Sequence, residues 1–211
     1  MTDYTYWAMF SAAALAINIS PGPDLMYILS RTLANGKNVG IASSAGVGAG
    51  ALVHVSAAAF GLSTLLATSI TAFNLVKYIG AAYLIYLGIK NWRCSGTHLD
   101  LAAKSVPGVS PWQAFKQGML VDILNPKAAI FFMAFLPQFV RPEIASIPLQ
   151  LFGLGTLVII MGLVVETIFI LLASTISCHL QKKNSVSKWL DRFLGSVFVG
   201  LGIRLALLDK A

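Results

Sequence analysis

Two short stretches place helix breakers beside polar residues inside otherwise apolar sequence. The first is Asn18-Ile19-Ser20-Pro21-Gly22-Pro23-Asp24, and the second is Asp122-Ile123-Leu124-Asn125-Pro126-Lys127. Two prolines remove two backbone donors and the glycine adds freedom, so no continuous helix is expected through the first stretch. In the second, Asn-Pro favours a break at Asn125. Within hydrocarbon, freed carbonyls are costly unless protein or a water-filled cavity satisfies them, so both breaks should face the protein interior. Pro23 suits the first turn of a new half-helix. Its free N–H groups and positive dipole end suit a carboxylate.

Four ionisable residues fall at membrane depth: Asp24, Asp122, Lys127 and Glu166. A charge at the centre of a spanning helix costs ~2.5–3.5 kcal/mol, so pairing or hydration is expected. Asp24 can cap a helix, or it can hold an ammonium or a proton. Asp122 can pair with Lys127, sit solvated at a helix end, or exchange a proton. Lys127 can neutralise a carboxylate of the protein or bind one from a substrate. Glu166, in the apolar run 163–168, and His54 are further candidates for carrying a proton. A lone intramembrane histidine is more often a hydrogen-bonded packing residue. Gly46, Gly48 and Gly50, with Gly153 and Gly155, have spacings that let helices approach closely. Tyr83 and Tyr86 read as packing residues.

The surrounding sequence says what positions these groups. Of 211 residues, 57% are hydrophobic and 11% charged, whereas a soluble domain carries about 25% charged residues. That excludes a soluble globular enzyme, a disordered chain and a disulfide scaffold. A spanning helix needs ~20 apolar residues. Six apolar stretches are read at 6–30, 40–67, 72–90, 113–139, 147–178 and 190–208. The polar connection 91–112 is read as a cytoplasmic linker between a first three-helix repeat, 1–90, and a second, 113–211. Asn125 follows Asn18 at the same spacing as Gly153 follows Gly46 and Gly155 follows Gly48, and Lys77–Gly80 has a counterpart in Arg192–Gly195. Three spans per repeat is an odd number, so the repeats must insert with opposite topology. The expected fold is an all-α integral membrane protein, with six transmembrane helices in a 3+3 inverted repeat and helices 1 and 4 broken. That is a ground plan of secondary transporters, with the site at the repeat interface.

The net charge is +7, but the basic residues lie between apolar segments. They read as a topology signal rather than a nucleic-acid surface. Six spans put Lys77, Arg141, Arg204 and Lys210 on the side of the termini, against ten basic residues on the other. Both termini are therefore expected outside the cytoplasm. The N-terminus lacks the basic segment of a cleavable signal. Cys94 and Cys178 stand apart from any metal-binding pattern and are expected to be free thiols. Trp7, Trp92, Trp112 and Trp189 fall near span ends, as interfacial anchors do. No HExxH, G-x-S-x-G or phosphate-loop motif is present, so enzymatic chemistry, direct use of ATP and a cofactor are not expected.

The Asn18–Asp24 stretch resembles the hallmark of the LysE/RhtB family of bacterial amino-acid exporters. Gly46-x-Gly48-x-Gly50, Tyr78-Ile79-Gly80-Ala81-Ala82-Tyr83-Leu84, and the span from Asn125-Pro126-Lys127-Ala128 to Phe135-Leu136-Pro137-Gln138-Phe139 are also similar to it. The resemblance covers nearly the whole chain. It implies a multi-pass protein of the bacterial inner membrane that exports amino acids or their derivatives against a proton. It also implies that the Pro-Gly-Pro segment and Asn125-Pro126 belong to the site; it does not reach Glu166 or His54. The expected substrate-binding set is Asn18, Ser20, Pro21, Gly22, Pro23, Asp24, Asn125, Pro126 and Lys127. The expected partners are the amino acid, a coupling proton and the bilayer, and the glycine faces would allow a homodimer. The competing readings are an exporter or channel for another small solute or a metal ion, and a non-transporting membrane assembly subunit.

Overall fold

The computed structural model describes residues 3–62 and 108–176, with scattered helical positions from 71 to 89 and from 196 to 206. The body of the predicted third and sixth spans lies outside the described residues. So do most of the 91–112 linker, Cys94, Cys178, Trp92, Trp189 and Tyr83.

Among the described residues all regular structure is helical. Helix α1 is Asp3–Ile19, α2 is Pro23–Asn35, and α3 is Lys37–Ala57, continued by a π-helical turn at Ala58–Leu62. Helix α4 is Pro111–Ile123, α5 is Pro126–Ala134 with a 3-10 turn at Leu136–Phe139, and α6 is Ile147–Ile176. Lys37–Gly61 and Ile147–Ser174 are each long and apolar enough to cross a membrane. A third crossing arises if α4 and α5, bent by 56° at their break, form one span.

Local chemistry sets the boundaries. Helix α1 stops at Ile19, and α2 starts with Pro23 at its first position, where a missing N–H costs nothing. Helix α2 then runs to Asn35, well past the expected end near residue 30, and a single residue turns the chain into α3. That residue is Gly36, with φ +82°, a left-handed conformation suited to glycine. Helix α4 begins two residues earlier than expected because Ser110 and Gln113 form a reciprocal cap. The Ser110 hydroxyl accepts from the Gln113 N–H at 3.2 Å, and Gln113 Oε1 accepts from the Ser110 N–H at 3.0 Å. Asn125 caps α5 by accepting from the Lys127 N–H at 3.0 Å.

The glycines divide by what they touch. A Cβ on Gly46 would strike the Phe115 carbonyl, one on Gly50 would stand 2.6 Å from Met119 O, and one on Gly118 would stand 2.5 Å from Ser43 O. The backbones of α3 and α4 therefore lie in direct contact, as small residues permit in membranes. A Cβ on Gly155 would press on Val55, whereas one on Gly153 would meet nothing within 4 Å. Beneath this packing, Phe10, Phe131, Phe135 and Phe139 are fully buried and stack into a column, with centroids 4.6–5.3 Å apart along the series. Trp7 and Trp112 are exposed, consistent with anchoring at an interface. Tyr86, expected to pack, is 55% exposed among the described residues.

Candidate functional site

The two breaks meet. Lys127, in the first turn of α5, is buried and sends its ammonium across to the other break. There it donates to the Ser20 carbonyl at 2.8 Å and lies 3.5 Å from Asp24 Oδ2. The Ser20 carbonyl stands just past the last turn of α1, the negative end of that helix. Asp24 stands in the first turn of α2, the positive end. Lys127 thus neutralises a carboxylate of the protein and stabilises the end of a broken helix.

Gly22 makes room for this arrangement. Its backbone is extended, at φ −145° and ψ 177°, which any residue can adopt. Space is what it supplies, since a Cβ there would run into Asp24 Oδ1 and stand 2.8 Å from Lys127 Nζ.

A cavity opens beside the junction. Asn18, Asp24, Asp122, Lys127 and Glu166 line it together with Gly48, Gly162 and an apolar wall that includes Val47, Phe131, Phe132, Ile159 and Leu163. Its volume of about 40 Å³ compares with the ~10–15 Å³ one water requires, so it has room for a few waters. Two of its carboxylates are incompletely satisfied: Asp24 Oδ1 and Asp122 Oδ2 are buried with no hydrogen-bond partner among the described residues. The Asn125 Nδ2 group is likewise buried without one. Buried polar atoms of this kind call for an explanation, and a ligand or ordered water is the usual one.

The remaining candidates take distinct places. Asn18 donates to the Ala14 carbonyl at 2.8 Å and to the Val158 carbonyl of α6 at 3.2 Å. Gly162 admits it, since a Cβ there would stand 2.7 Å from Asn18 Oδ1. Glu166 Oε2 accepts from the Ser44 hydroxyl of α3 at 2.6 Å, and both side chains are buried. His54 does not line the cavity. It is buried, its Nε2 bonds the Asp122 carbonyl at 2.9 Å, and its ring stacks on Phe132. A carbonyl partner makes that nitrogen the N–H donor, and the histidine holds the end of α4 in place. Pro21, Pro23 and Pro126 build the breaks rather than line the cavity, and Pro23 and Pro126 are exposed. Among the described residues, no group of three or more His, Cys, Asp or Glu side chains could hold a metal ion.

Sequence reasoning did not find Ser44 or Gly162. Serines are common in apolar helices, and only the approach of α6 to α3 and α1 gives these two their meaning. The close approach of Asp24 to Lys127 likewise needed the two breaks in one place.

Comparison with known proteins gives a consistent picture. The family profile described as LysE type translocator matches residues 15–209. The chain is 32% identical to the homoserine/homoserine lactone efflux protein of Salmonella typhimurium over 203 residues, which is 96% of this chain and 97% of the relative. It is 30% identical to the leucine efflux protein of Salmonella choleraesuis over 206 residues, 97% of this chain and 96% of the relative. A membrane protein of Vibrio cholerae is 28% identical over 205 residues, 97% of this chain and 98% of the relative. No solved structure matches the chain.

Proposed function

The chain belongs to the LysE type translocator family of amino-acid efflux proteins, and from that premise we propose that it exports an amino acid or amino-acid derivative by proton antiport across the bacterial inner membrane. It is a transporter and not an enzyme.

The observation that carries the site reading is the cavity itself. It presents two unsatisfied carboxylate oxygens, Asp24 Oδ1 and Asp122 Oδ2, beside one ammonium, Lys127, where two broken helices meet. An amino acid is the complementary object. Its ammonium meets Asp24 and Asp122, and its carboxylate meets Lys127 and the first N–H groups of α2. The carboxyl cluster Asp24, Asp122 and Glu166 carries the exchanged proton. One elementary charge moving inward is worth ~2.3 kcal/mol per 100 mV, and that drives the substrate outward.

Alternating access follows from an inverted repeat of residues 1–90 and 113–211, joined by the 91–112 linker. What supports the repeat is its internal correspondence. The contact of Lys127 with Ser20 joins positions 107 apart, the same offset that relates Asn125 to Asn18. Equivalent residues meet when they lie near a two-fold axis. Termini on the outer side follow from the basic loops at the opposite face.

The test is efflux from cells loaded with a panel of dipeptides, assaying all free amino acids released, with and without a protonophore. Selective, protonophore-sensitive release that disappears in Asp24→Asn at equal membrane abundance supports the reading. Unchanged release in that variant removes Asp24 from the mechanism, and no release from the wild type overturns the substrate class.

A further inference from the structure

Gly46, Gly48 and Gly50 share one helix but not one role. A helix turns ~100° per residue, so Gly46 and Gly50, four apart, share a face, and Gly48 lies on the other side. The contacts agree. A Cβ on Gly46 or Gly50 would hit the backbone of α4, at Phe115 and Met119. A Cβ on Gly48 would meet only the side chains of Leu163 at 3.4 Å and Ile159 at 3.6 Å, an ordinary van der Waals contact that alanine would fill. Packing therefore explains the first two glycines and not the third.

Gly48 is buried and lines the cavity. Of the apolar residues that line it, Leu163 and Ile159 face Gly48, and Glu166, held by Ser44, stands one turn further along α6. The same cavity holds Asp122, which is 2% exposed with Oδ2 unpartnered, and the Lys127 ammonium. The wall that faces Gly48 is thus apolar, and it is indented where Gly48 lacks a side chain.

We infer that Gly48 is a specificity-determining residue: it leaves the space for the substrate's side chain and limits its length and branching. The inference rests on the amino-acid reading of this site. The charged groups hold the ammonium and carboxylate common to every amino acid. The apolar wall then distinguishes one amino acid from another. The space is small, so each carbon added at position 48 displaces a carbon of the substrate. One methylene in an apolar pocket is worth ~10–200-fold in discrimination.

The test is competitive efflux from cells loaded with equal amounts of leucine- and homoserine-containing dipeptides, comparing wild type with Gly48→Ala and Gly48→Val. The expected result is a fall in the leucine-to-homoserine ratio, about tenfold or more in Gly48→Val and smaller in Gly48→Ala. A complementary variant, Leu163→Ala, enlarges the facing wall and, in cells loaded with equal amounts of phenylalanine- and leucine-containing dipeptides, should raise the release of phenylalanine relative to leucine. Three results would overturn the inference. One is ratios that stay constant while total release changes. Another is Gly48→Ala failing to reach the membrane, which would make position 48 a packing contact. The third is a Leu163→Ala profile like that of the wild type. A wild type that releases no amino acid is a different failure, because it removes the amino-acid reading on which the inference stands.

Discussion

Replacing Lys127 by methionine tests whether the two breaks depend on each other. Methionine keeps most of the length and apolar bulk but removes the charge. The Lys127 side chain is 5% exposed and that of Asp24 16%, so neither charge is well hydrated. Removing one partner of a buried pair costs ~3–5 kcal/mol, because the other is left uncompensated. Here the damage has two parts: Asp24 loses its cation, with Oδ1 already unpartnered, and the Ser20 carbonyl loses its 2.8 Å donor. For a chain of about this length, 1 kcal/mol corresponds to ~2–4 °C in Tm, so Lys127→Met should melt roughly 6–20 °C below wild type. Adding Asp24→Asn to Lys127→Met removes the stranded charge and should recover more than half of that loss. It should not recover efflux, since neither the ammonium ligand nor the carboxylate ligand is restored. The assay is thermal unfolding of the purified protein in detergent for wild type, both single variants and the double variant. If the double variant melts at the sum of the two single losses, the 3.5 Å approach carries no coupling and the junction is not held as argued here.

Two further variants address the elements that place the cavity. Gly50→Ala puts a Cβ 2.6 Å from Met119 O and 2.8 Å from Asp122 Cβ, neither of them a flexible tip. It should lose ~1–3 kcal/mol through overpacking, together with efflux, while Gly153→Ala, with no neighbour within 4 Å, should match wild type in both. Equal thermal stability of the two variants would refute the close packing of α3 on α4. Ser44→Ala strips Glu166 of its 2.6 Å donor. A lost buried partner costs ~1–3 kcal/mol, so efflux should fall about fivefold or more at normal abundance, and Ser44→Thr should restore it. Unimpaired efflux in Ser44→Ala would take this pair out of the transport cycle.

Much of this architecture could be read from local rules. Proline and glycine act on the backbone of their own segment, so the breaks at Ser20–Gly22 and Asn125 follow from the residues themselves. The long apolar run 147–178 becomes α6, Ile147–Ile176, because nothing in it interrupts the helix. The start of α4 was missed by two residues, although Ser110-Pro111-Trp112-Gln113 carries the capping-box pattern. The one-residue turn at Gly36 was harder, since the polar residues around it read as a loop while they extend α2 and α3. Partnerships were the least legible. Ser44 and Glu166 are 122 residues apart, and Asn18 and Val158 are 140 apart. Sequence could name Glu166 as unusual for its setting, but nothing in either segment says which helix faces it. The glycines show the same limit. Spacing groups Gly46, Gly48 and Gly50 together, and only the neighbours separate the two that touch backbone from the one that faces the cavity.

The cavity lies between two apolar clusters of unequal size, and this bears on which side opens more easily. Toward the Arg141 end, the aromatic column of Phe131, Phe135, Phe139 and Phe10 fills the interior. It is closed off by Tyr6, which donates to the Phe139 carbonyl at 2.8 Å and lies under the Arg141 guanidinium at 4.1 Å. Toward the Arg31 end, the separate buried cluster among the described residues is Ile28, Val47 and Ile170, with Tyr27 packed against it. Above it, Tyr27 donates to the Ala114 carbonyl at 2.8 Å and Arg31 to Gln117 Oε1 at 2.9 Å. Opening the Arg141 end means parting several large rings. Among the described residues, opening the Arg31 end parts three aliphatic side chains, a few exchangeable hydrogen bonds and, where α3 leaves α4, the close contacts at Gly46 and Gly118. Burial scales with apolar area, at ~25 cal/mol per Å², so in apolar burial among the described residues the second movement is the less costly. The topology proposed above puts the Arg31 end toward the cytoplasm, where an exporter collects its substrate. The less costly opening therefore faces the loading side. On the proposed mechanism, the aromatic column parts only once the substrate's ammonium and carboxylate have entered the Asp24–Lys127 junction and loosened the contact that holds α5 to the first break.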